Sequence, residues 1–177
     1  MFKGQTVLGI VPARGGSKRL PGKNLVCAAD KPLLGWTLEV GLQSNFVDKV
    51  VLSTDDQGIS DVARGFGIDE ILTRPTSLGE DDASINAVIR HVLKVLEDRG
   101  EKFDYLLLLQ PTSPLRTSRH IRGAFHLMEE TNTVGAISVC RTEQPTEWMG
   151  KLSSNGLLDS FFRQTELDKQ SQIFSPS

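Results

Sequence analysis

The sequence predicts an α/β fold in which a mostly parallel sheet is covered by helices on both faces. Two observations point to it. First, the chain contains short apolar runs typical of buried strands and longer segments whose apolar residues recur three and four positions apart, as in helices. Second, these predicted strands and helices alternate along the chain. At 177 residues, with 38% hydrophobic and 24% charged residues, the chain has the composition of an ordinary globular domain.

Five strands and four helices follow from this pattern. The predicted strands are residues 7–11, 50–53, 71–73, 105–109 and 133–139, and the predicted helices are residues 33–43, 58–66, 84–98 and 118–130. The run 106–109 is the most apolar, so we expect it near the sheet centre. We expect the segment Asp82-Ala83-Ser84 to supply the cap of the third helix and Ser118 that of the fourth, and Gly65 and Gly67 to end the second.

Charge and hydropathy exclude several classes of protein. A net charge of −2 and a pI near 5.9 argue against a general nucleic-acid or membrane surface. No run approaches the roughly 18 apolar residues of a membrane span, and residues 1–5 lack a signal-peptide core, so we expect a cytoplasmic protein. Cys27 and Cys140 lack C-x-x-C spacing, which argues against a disulfide scaffold and most zinc sites. We expect both to be inert packing residues.

The most informative segment is the basic loop, defined here as residues 13–24, which follows the first predicted strand. It holds two adjacent glycines and four cations with no acidic residue among them: Gly15, Gly16, Arg14, Lys18, Arg19 and Lys23. Glycine allows close approach of the backbone to a ligand, and ligands of open α/β sheets bind at the carboxyl ends of strands. This predicts a phosphate site, with a solvated basic turn as the alternative.

Two common phosphate motifs are absent from the basic loop. The P-loop pattern G-x-x-x-x-G-K-[ST] fails because Ser17 stands at its first glycine and Asn24 at its hydroxyl position. The dinucleotide pattern G-x-G-x-x-G fails because Gly15 and Gly16 are adjacent and Gly22 follows six residues later. Neither a P-loop ATPase nor a dehydrogenase is favoured.

The basic loop resembles the opening motif of the sugar-activating cytidylyltransferases, which join CMP to acidic keto-sugars such as sialic acids. Their pattern A-R-x-x-S-K-x-x-x-x-K-N after a strand is matched by Ala13, Arg14, Ser17, Lys18, Lys23 and Asn24. Three further segments resemble that family in the right order: residues 51–55, residues 74–84 and residues 109–116. The last, Leu-Gln-Pro-Thr-Ser-Pro-Leu-Arg, is close to the signature of the sialic-acid branch.

The resemblance implies a Rossmann-like sheet of the nucleotide-diphospho-sugar transferase type. It implies a reaction in which a sugar hydroxyl attacks the α-phosphate of CTP and pyrophosphate leaves, so CTP and an acidic sugar are the expected partners. From residue 141 onward the sequence becomes polar, which predicts two regions: a nucleotide-binding domain over residues 1–140 and a polar arm over residues 141–177. The resemblance implies that this arm starts a homodimer contact. A flexible tail is the alternative for the arm.

The resemblance also assigns residues to roles. The expected electrostatic catalysts are Arg14, Lys18 and Lys23. The expected nucleotide-binding residues are Ala13, Arg14, Gly15, Gly16, Ser17, Asn24, Arg74, Ala83 and Ser84. The expected sugar-binding residues are Gln110, Thr112, Ser113 and Arg116, the last as a receptor for a carboxylate or as a structural salt bridge.

The sequence departs from the family in its metal site. Relatives carry a late D-x-D pair that holds a catalytic Mg²⁺, whereas this chain contains no D-x-D, so no metal ligand is assigned and a truncated form is expected. An inactive nucleotide-binding remnant, a transferase with another base or sugar, and a glycosyltransferase are the alternatives. Paired acids at 55–56 and 81–82 are expected to cap helices rather than bind metal. No catalytic role is assigned to His91, His120 or His126.

Overall fold

The computed structural model of the chain describes residues 2–80 and 83–141. Residues up to 134 form one compact unit, and residues from 135 belong to a second. The strands are β1 (Val7–Pro12), β2 (Cys27–Ala28), β3 (Lys31–Pro32), β4 (Lys49–Thr54), β5 (Ile71–Thr73) and β6 (Tyr105–Leu108). The helices are α1 (Leu33–Leu42), α2 (Gln57–Gly65), α3 (Ile85–Asp98) and α4 (Ser118–Thr131), with short 3-10 turns at Lys23–Leu25 and Thr76–Leu78.

Four strands form one parallel sheet in the order β5-β4-β1-β6. In its register, Gly9 of β1 lies opposite Val50 of β4 and Leu107 of β6. Because all four strands run the same way, the loops that follow them meet at one edge, called here the carboxyl edge. The predicted α/β class with a mostly parallel sheet is confirmed.

Both faces of the sheet are buried, as a parallel sheet requires. Val7 and Val11 of β1 face a cluster with α1, α2 and α4, while Leu8 and Ile10 face a smaller cluster with α3. The helices contribute residues at helical spacing: Leu34, Leu38, Ile59, Ala63, Ile121, Phe125 and Met128 on the first face, and Val92 and Leu96 on the second. Helices on both faces are therefore confirmed.

Side chains at the helix starts satisfy backbone N–H groups that have no partner within the helix. Asp56 Oδ1 accepts from Ile59 N at 2.8 Å at the start of α2, and Ser84 Oγ accepts from Ala87 N at 3.2 Å at the start of α3. The expected cap at Ser118 is wrong. Ser118 is the first residue of α4, so the cap residue is Thr117. The Thr117 N–H donates to His120 Nδ1 at 3.1 Å.

The sheet position expected for the fourth strand is also wrong. Among the described residues β6 pairs only with β1 and lies at an edge, and Leu106 is 40% exposed. The centre is taken by β1, which is flanked by β4 and β6. The apolar composition of this run reflects the packing of Leu107 and Leu109 against the cluster on one face of the sheet, and it did not predict the lateral position of the strand.

The predicted strand at residues 133–139 is not seen. Residues 133–141 carry no helix or strand, and Val134, Ile137 and Val139 are 84–95% exposed. A strand forms where a neighbour takes its backbone hydrogen bonds, and nothing in the described ranges pairs with this segment. β-branched composition alone was insufficient. Apart from Arg141, the predicted arm at 141–177 lies outside the described residues, so the boundary at 140 stays a prediction.

The expected burial of the cysteines is wrong, since Cys27 and Cys140 are both exposed and neither forms a disulfide. Cys27 lies in a small antiparallel hairpin, β2–β3, that the sequence pattern did not predict. No helix within the described ranges has the length and apolarity needed to cross a bilayer.

Candidate nucleotide-binding site

The basic loop leaves β1 at the carboxyl edge of the sheet. Its first residue, Ala13, is buried, and Ala13 N continues the sheet by donating to the Ser53 carbonyl of β4 at 3.0 Å. Beyond this point the chain turns outward, and Gly16 and Lys18 are exposed. The structure therefore places the predicted phosphate loop where ligands of open α/β sheets bind.

Hydrogen bonds within the basic loop fix its shape. Ser17 N donates to the Gly15 carbonyl at 2.9 Å, and buried Asn24 donates through Nδ2 to the Arg14 carbonyl at 2.9 Å. Gly22 has φ of 62°, a left-handed conformation that glycine adopts without cost, and it starts the 3-10 turn Lys23–Leu25. One donor of Asn24, expected to contact a nucleotide, therefore closes the two ends of the loop.

The cations of the basic loop have different surroundings. Arg14 donates through Nη1 to the Glu80 carbonyl at 3.0 Å, which joins the loop after β1 to the loop after β5. Lys18 and Arg19 are exposed, whereas Lys23 is half-buried in its 3-10 turn. All four belong to one loop of twelve residues at one edge of the sheet. Their contact with a triphosphate stays a prediction.

Two carboxylates that follow β4 lie against the basic loop. Asp55 Oδ1 accepts the Gly15 N–H at 3.1 Å, and a Cβ placed on Gly15 would lie 2.6 Å from Asp56 Oδ2 and 2.9 Å from Asp56 Cβ. Only glycine fits there. By contrast, nothing lies within 4 Å of a Cβ placed on Gly16. The N–H of Gly15, a residue expected to bind the nucleotide, thus donates to Asp55.

Asp55 is the site residue that sequence reasoning missed, because an acidic pair after a strand was interpreted as a helix cap. That interpretation is confirmed for Asp56, which caps α2. The place of Asp55 follows from strand order: β1 and β4 are neighbouring parallel strands of one sheet, so residues just beyond their ends lie side by side, and the sequence pattern does not give that order.

Arg74 follows β5 at the same edge and is buried, with 6% of its surface exposed. Its guanidinium donates to two backbone carbonyls, Leu78 at 3.2 Å and Ser53 through a short contact. Burial lowers the pKa of Arg74; the nearby charge of Asp55 raises it, and that of Arg14 lowers it further. Arg74 thus joins the end of β4 to the Thr76–Leu78 turn through these two carbonyls. Its contact with cytosine or ribose stays a prediction.

Ala83 and Ser84 lie between the Thr76–Leu78 turn and α3. Ala83 N donates to the Glu80 carbonyl at 3.3 Å, and the Ser84 hydroxyl caps α3. The second is exposed and the first half-buried. Both are at the carboxyl edge, in the loop that also receives Arg14.

The predicted sugar segment follows β6 and forms a compact turn. Ser113 N donates to the Gln110 carbonyl at 3.2 Å, and Arg116 N donates to the Ser113 carbonyl at 3.1 Å. The side chains of Gln110, Thr112 and Ser113 are exposed. Arg116 is half-buried, burial lowers its pKa, and its Nη1 atom is buried without a hydrogen-bond partner among the described residues.

Two of the three histidines, His120 and His126, make local contacts at α4. His120 accepts from the backbone at the start of α4, and His126 lies on the exposed face of the same helix, 3.8 Å from Glu129. Within residues 2–80 and 83–141, no three His, Cys, Asp or Glu side chains are grouped to hold a metal ion.

A parallel sheet with a basic, glycine-containing loop after its first strand defines a Rossmann-like α/β protein with a candidate phosphate site at the carboxyl edge. The sequence profile of one family, described as cytidylyltransferase, matches residues 8–176. The chain therefore belongs to the cytidylyltransferase family, and the resemblance inferred from its motifs is confirmed.

Curated relatives and a solved structure agree with this assignment. The chain is 38% identical to N-acylneuraminate cytidylyltransferase of Escherichia coli O18:K1:H7, over 88% of this chain and 36% of the relative. It is 36% identical to CMP-N,N'-diacetyllegionaminic acid synthase of Legionella pneumophila, over 86% of this chain and 65% of the relative. A CMP:2-keto-3-deoxy-manno-octonic acid synthetase complexed with CTP superposes with a TM-score of 0.58 at 25% identity, over 72% of this chain and 48% of that one. The chain thus spans between about a third and two thirds of the length of these proteins.

Proposed function

We propose that this protein transfers CMP from CTP to an acidic keto-sugar of the sialic-acid type and releases pyrophosphate. The observation that carries the proposal is the cytidylyltransferase match over residues 8–176, which includes the basic loop and the turn after β6. The two curated relatives named above act on different nonulosonic acids. The proposal therefore fixes the sugar class and leaves the individual sugar open.

The proposed reaction forms a bond between the sugar hydroxyl oxygen and the α-phosphorus of CTP, while the bond from that phosphorus to the bridging oxygen breaks. The bridging oxygen leaves with pyrophosphate, and the hydroxyl proton passes to water. The protein supplies position and charge in such a transfer. Arg14, Lys18 and Lys23 are proposed to offset the triphosphate charge. Asn24, Gly16 and Ser17 are proposed to border the phosphates, and Ala83 and Ser84 the nucleoside.

The sugar is proposed to bind at the turn after β6. Gln110, Thr112 and Ser113 are exposed hydrogen-bonding groups at the carboxyl edge. The buried Nη1 of Arg116, with no hydrogen-bond partner in the described ranges, is a donor suited to a carboxylate. The carboxylate of an acidic sugar would accept a hydrogen bond from that donor more strongly than the hydroxyl groups of a neutral sugar.

Magnesium, a homodimer and a cytoplasmic location complete the proposal. Mg²⁺ would offset triphosphate charge, but the described residues offer no cluster that fits it, so none of them is assigned to it. The exposed apolar side chains of Val134, Ile137 and Val139 support a second copy as partner. Sedimentation at twice the mass of one chain is expected, and sedimentation at 19.5 kDa would contradict the dimer.

The first test is nucleotide binding by the 177-residue chain, measured by calorimetry with CTP, UTP, GTP and TTP. CTP is expected to bind most tightly, and Lys23→Ala is expected to weaken it at least tenfold because one cation facing the phosphates is lost. Lys102→Ala is the matched control, since Lys102 is exposed and precedes β6 at the opposite edge of the sheet. Preference for another nucleotide would overturn the proposal.

Turnover separates an active enzyme from an inactive remnant. Pyrophosphate release is expected with CTP, Mg²⁺ and an acidic keto-sugar, and not when the sugar is omitted. CTP binding without pyrophosphate release from any sugar of a nonulosonate and octulosonate panel would contradict catalysis by this chain.

A further inference from the structure

Three parts of the carboxyl edge converge on the carboxylate of Asp55. Its Oδ1 accepts the Gly15 N–H of the basic loop at 3.1 Å. Its Oδ2 lies against Gly79 of the loop after β5, where a Cβ would come within 2.4 Å. The Asp55 backbone itself directly follows β4. One side chain therefore contacts the loops that follow its two neighbouring strands.

The charges around Asp55 favour the same arrangement. Arg14 and Arg74 lie close enough that the charge of Arg14 lowers the pKa of Arg74, and Asp55 acts in the opposite direction. Two guanidinium groups at one edge repel each other, and burial of Arg74 adds a desolvation cost. A carboxylate beside them offsets part of both costs, whereas near a triphosphate the same carboxylate would repel the ligand.

We propose that Asp55 is a positioning residue of the nucleotide site, which holds the Gly15 amide with Oδ1 and keeps Arg14 and Arg74 together through its charge. The proposal rests on the proposed function, since the loop so positioned is the one assigned to CTP. It explains why an acidic side chain lies under a loop of four cations. Asp55 touches the loop rather than the reacting atoms, so its effect on CTP is indirect.

Electrostatics and positioning predict opposite signs for the loss of Asp55. If Asp55 only contributed negative charge, its removal would tighten the binding of anionic CTP. If it positions the loop, its removal weakens CTP binding despite the lost repulsion. The two variants Asp55→Ala and Asp55→Asn divide the effect further, because asparagine keeps an oxygen acceptor for the Gly15 N–H and loses only the charge.

The experiment measures CTP affinity by calorimetry and Gly15 amide hydrogen exchange without nucleotide, in the full chain. Asp55→Ala is expected to weaken CTP binding at least tenfold and to speed exchange at Gly15 at least tenfold. Asp55→Asn is expected to keep slow exchange and to lose about threefold in affinity. Asp69→Asn, at an exposed position before β5 at the opposite edge, is the control and is expected to match the original chain.

Tighter or unchanged CTP binding in both Asp55 variants would overturn the positioning role, as would unchanged Gly15 exchange in Asp55→Ala. If the original chain fails to bind CTP, the proposed function fails, but the exchange measurement still decides whether Asp55 holds the loop. If Asp55→Ala does not fold, Asp55→Asn and its affinity decide the role of the charge.

Discussion

Gly15 and Gly16 are adjacent in the sequence and have opposite surroundings in the fold. Gly15 is pressed against Asp56, whose carboxylate is fixed by the cap of α2, while Gly16 faces open space. The two adjacent glycines are therefore explained by two different physical requirements. One glycine lets the loop contact the helix start, and the other leaves the approach to the loop free.

Substitution separates these two reasons. Gly15→Ala is expected to lower the free energy of unfolding by about 1–3 kcal/mol, because its Cβ would overlap Asp56 Cβ and Oδ2, atoms that the cap of α2 holds in place. Gly16→Ala is expected to change it by less than about 0.5 kcal/mol. Urea denaturation of both variants measures the difference. Equal losses would contradict the assigned packing of Gly15.

At the scale of elements, hydrophobic period predicted the four helices and the four strands of the sheet within two residues at each end. It did so because these elements bury regular apolar faces against each other, as Val88, Val92 and Leu96 of α3 show. It failed for the β2–β3 hairpin, which has two residues per strand and no apolar alternation. Residues 133–139 show the converse, a β-branched pattern without a pairing partner in the described ranges.

The site was predictable to a similar extent. Motif spacing identified the basic loop and the turn after β6, because those residues are contiguous in sequence. Asp55 and the Glu80 carbonyl are contacts across loops, and strand order decides them. The sequence pattern predicted parallel strands but did not determine which strand lies beside which, so these contacts required the fold.

The β2–β3 hairpin contains a strained backbone position that a substitution is expected to relieve. Ala29 has φ of 63°, in the left-handed region that is costly for residues with a Cβ. Ala29→Gly is expected to raise the free energy of unfolding by about 0.5–1 kcal/mol, since the lost strain exceeds the entropy that glycine adds to the unfolded chain. Ala28→Gly, in the adjacent β2 strand, is the control and is expected to lower it. Thermal melts of both variants measure the effect, and a lower melting temperature for Ala29→Gly would contradict it.

At the scale of the unit formed by residues up to 134, the candidate site and one ion-pair cluster lie at opposite edges of the sheet. The carboxyl edge carries the basic loop, Asp55 and the turn after β6. The opposite edge carries an ion-pair cluster in which Lys49 contacts Glu70 at 3.1 Å and Glu101 at 2.5 Å, while Arg99 contacts Glu70 at 2.8 Å. The cluster ties the start of β4 to the residues before β5 and after α3.

This separation predicts that stability can be changed at one edge without loss of binding at the other.

The ion-pair cluster makes stability depend on pH. Burial raises the pKa of Glu70, but hydrogen bonds from Lys49 and Arg99 outweigh it, so the net pKa lies below the ordinary value of 4.5. Its contribution to stability is therefore full above pH 4.5 and is lost as the pH falls through its folded pKa. Burial lowers the pKa of Lys49, yet its bonds to Glu101 and Glu70 raise the net pKa above 10.5, so its contribution is lost only above that pH.

Glu70→Gln is expected to reduce the free energy of unfolding at pH 7 by about 0.5–1 kcal/mol, the range for partly exposed ion pairs. The difference from the original chain is expected to shrink as the pH falls below 4.5, because the original carboxylate is then protonated too. Glu97→Gln, at an exposed position of α3, is the matched control and is expected to change little. Denaturation at pH 7, 5 and 3 measures stability, and CTP calorimetry at pH 7 is expected to give the affinity of the original chain for both variants. A constant difference in stability across this pH range would contradict the contribution of the Glu70 charge. A loss of CTP affinity in Glu70→Gln would show that the two edges are coupled.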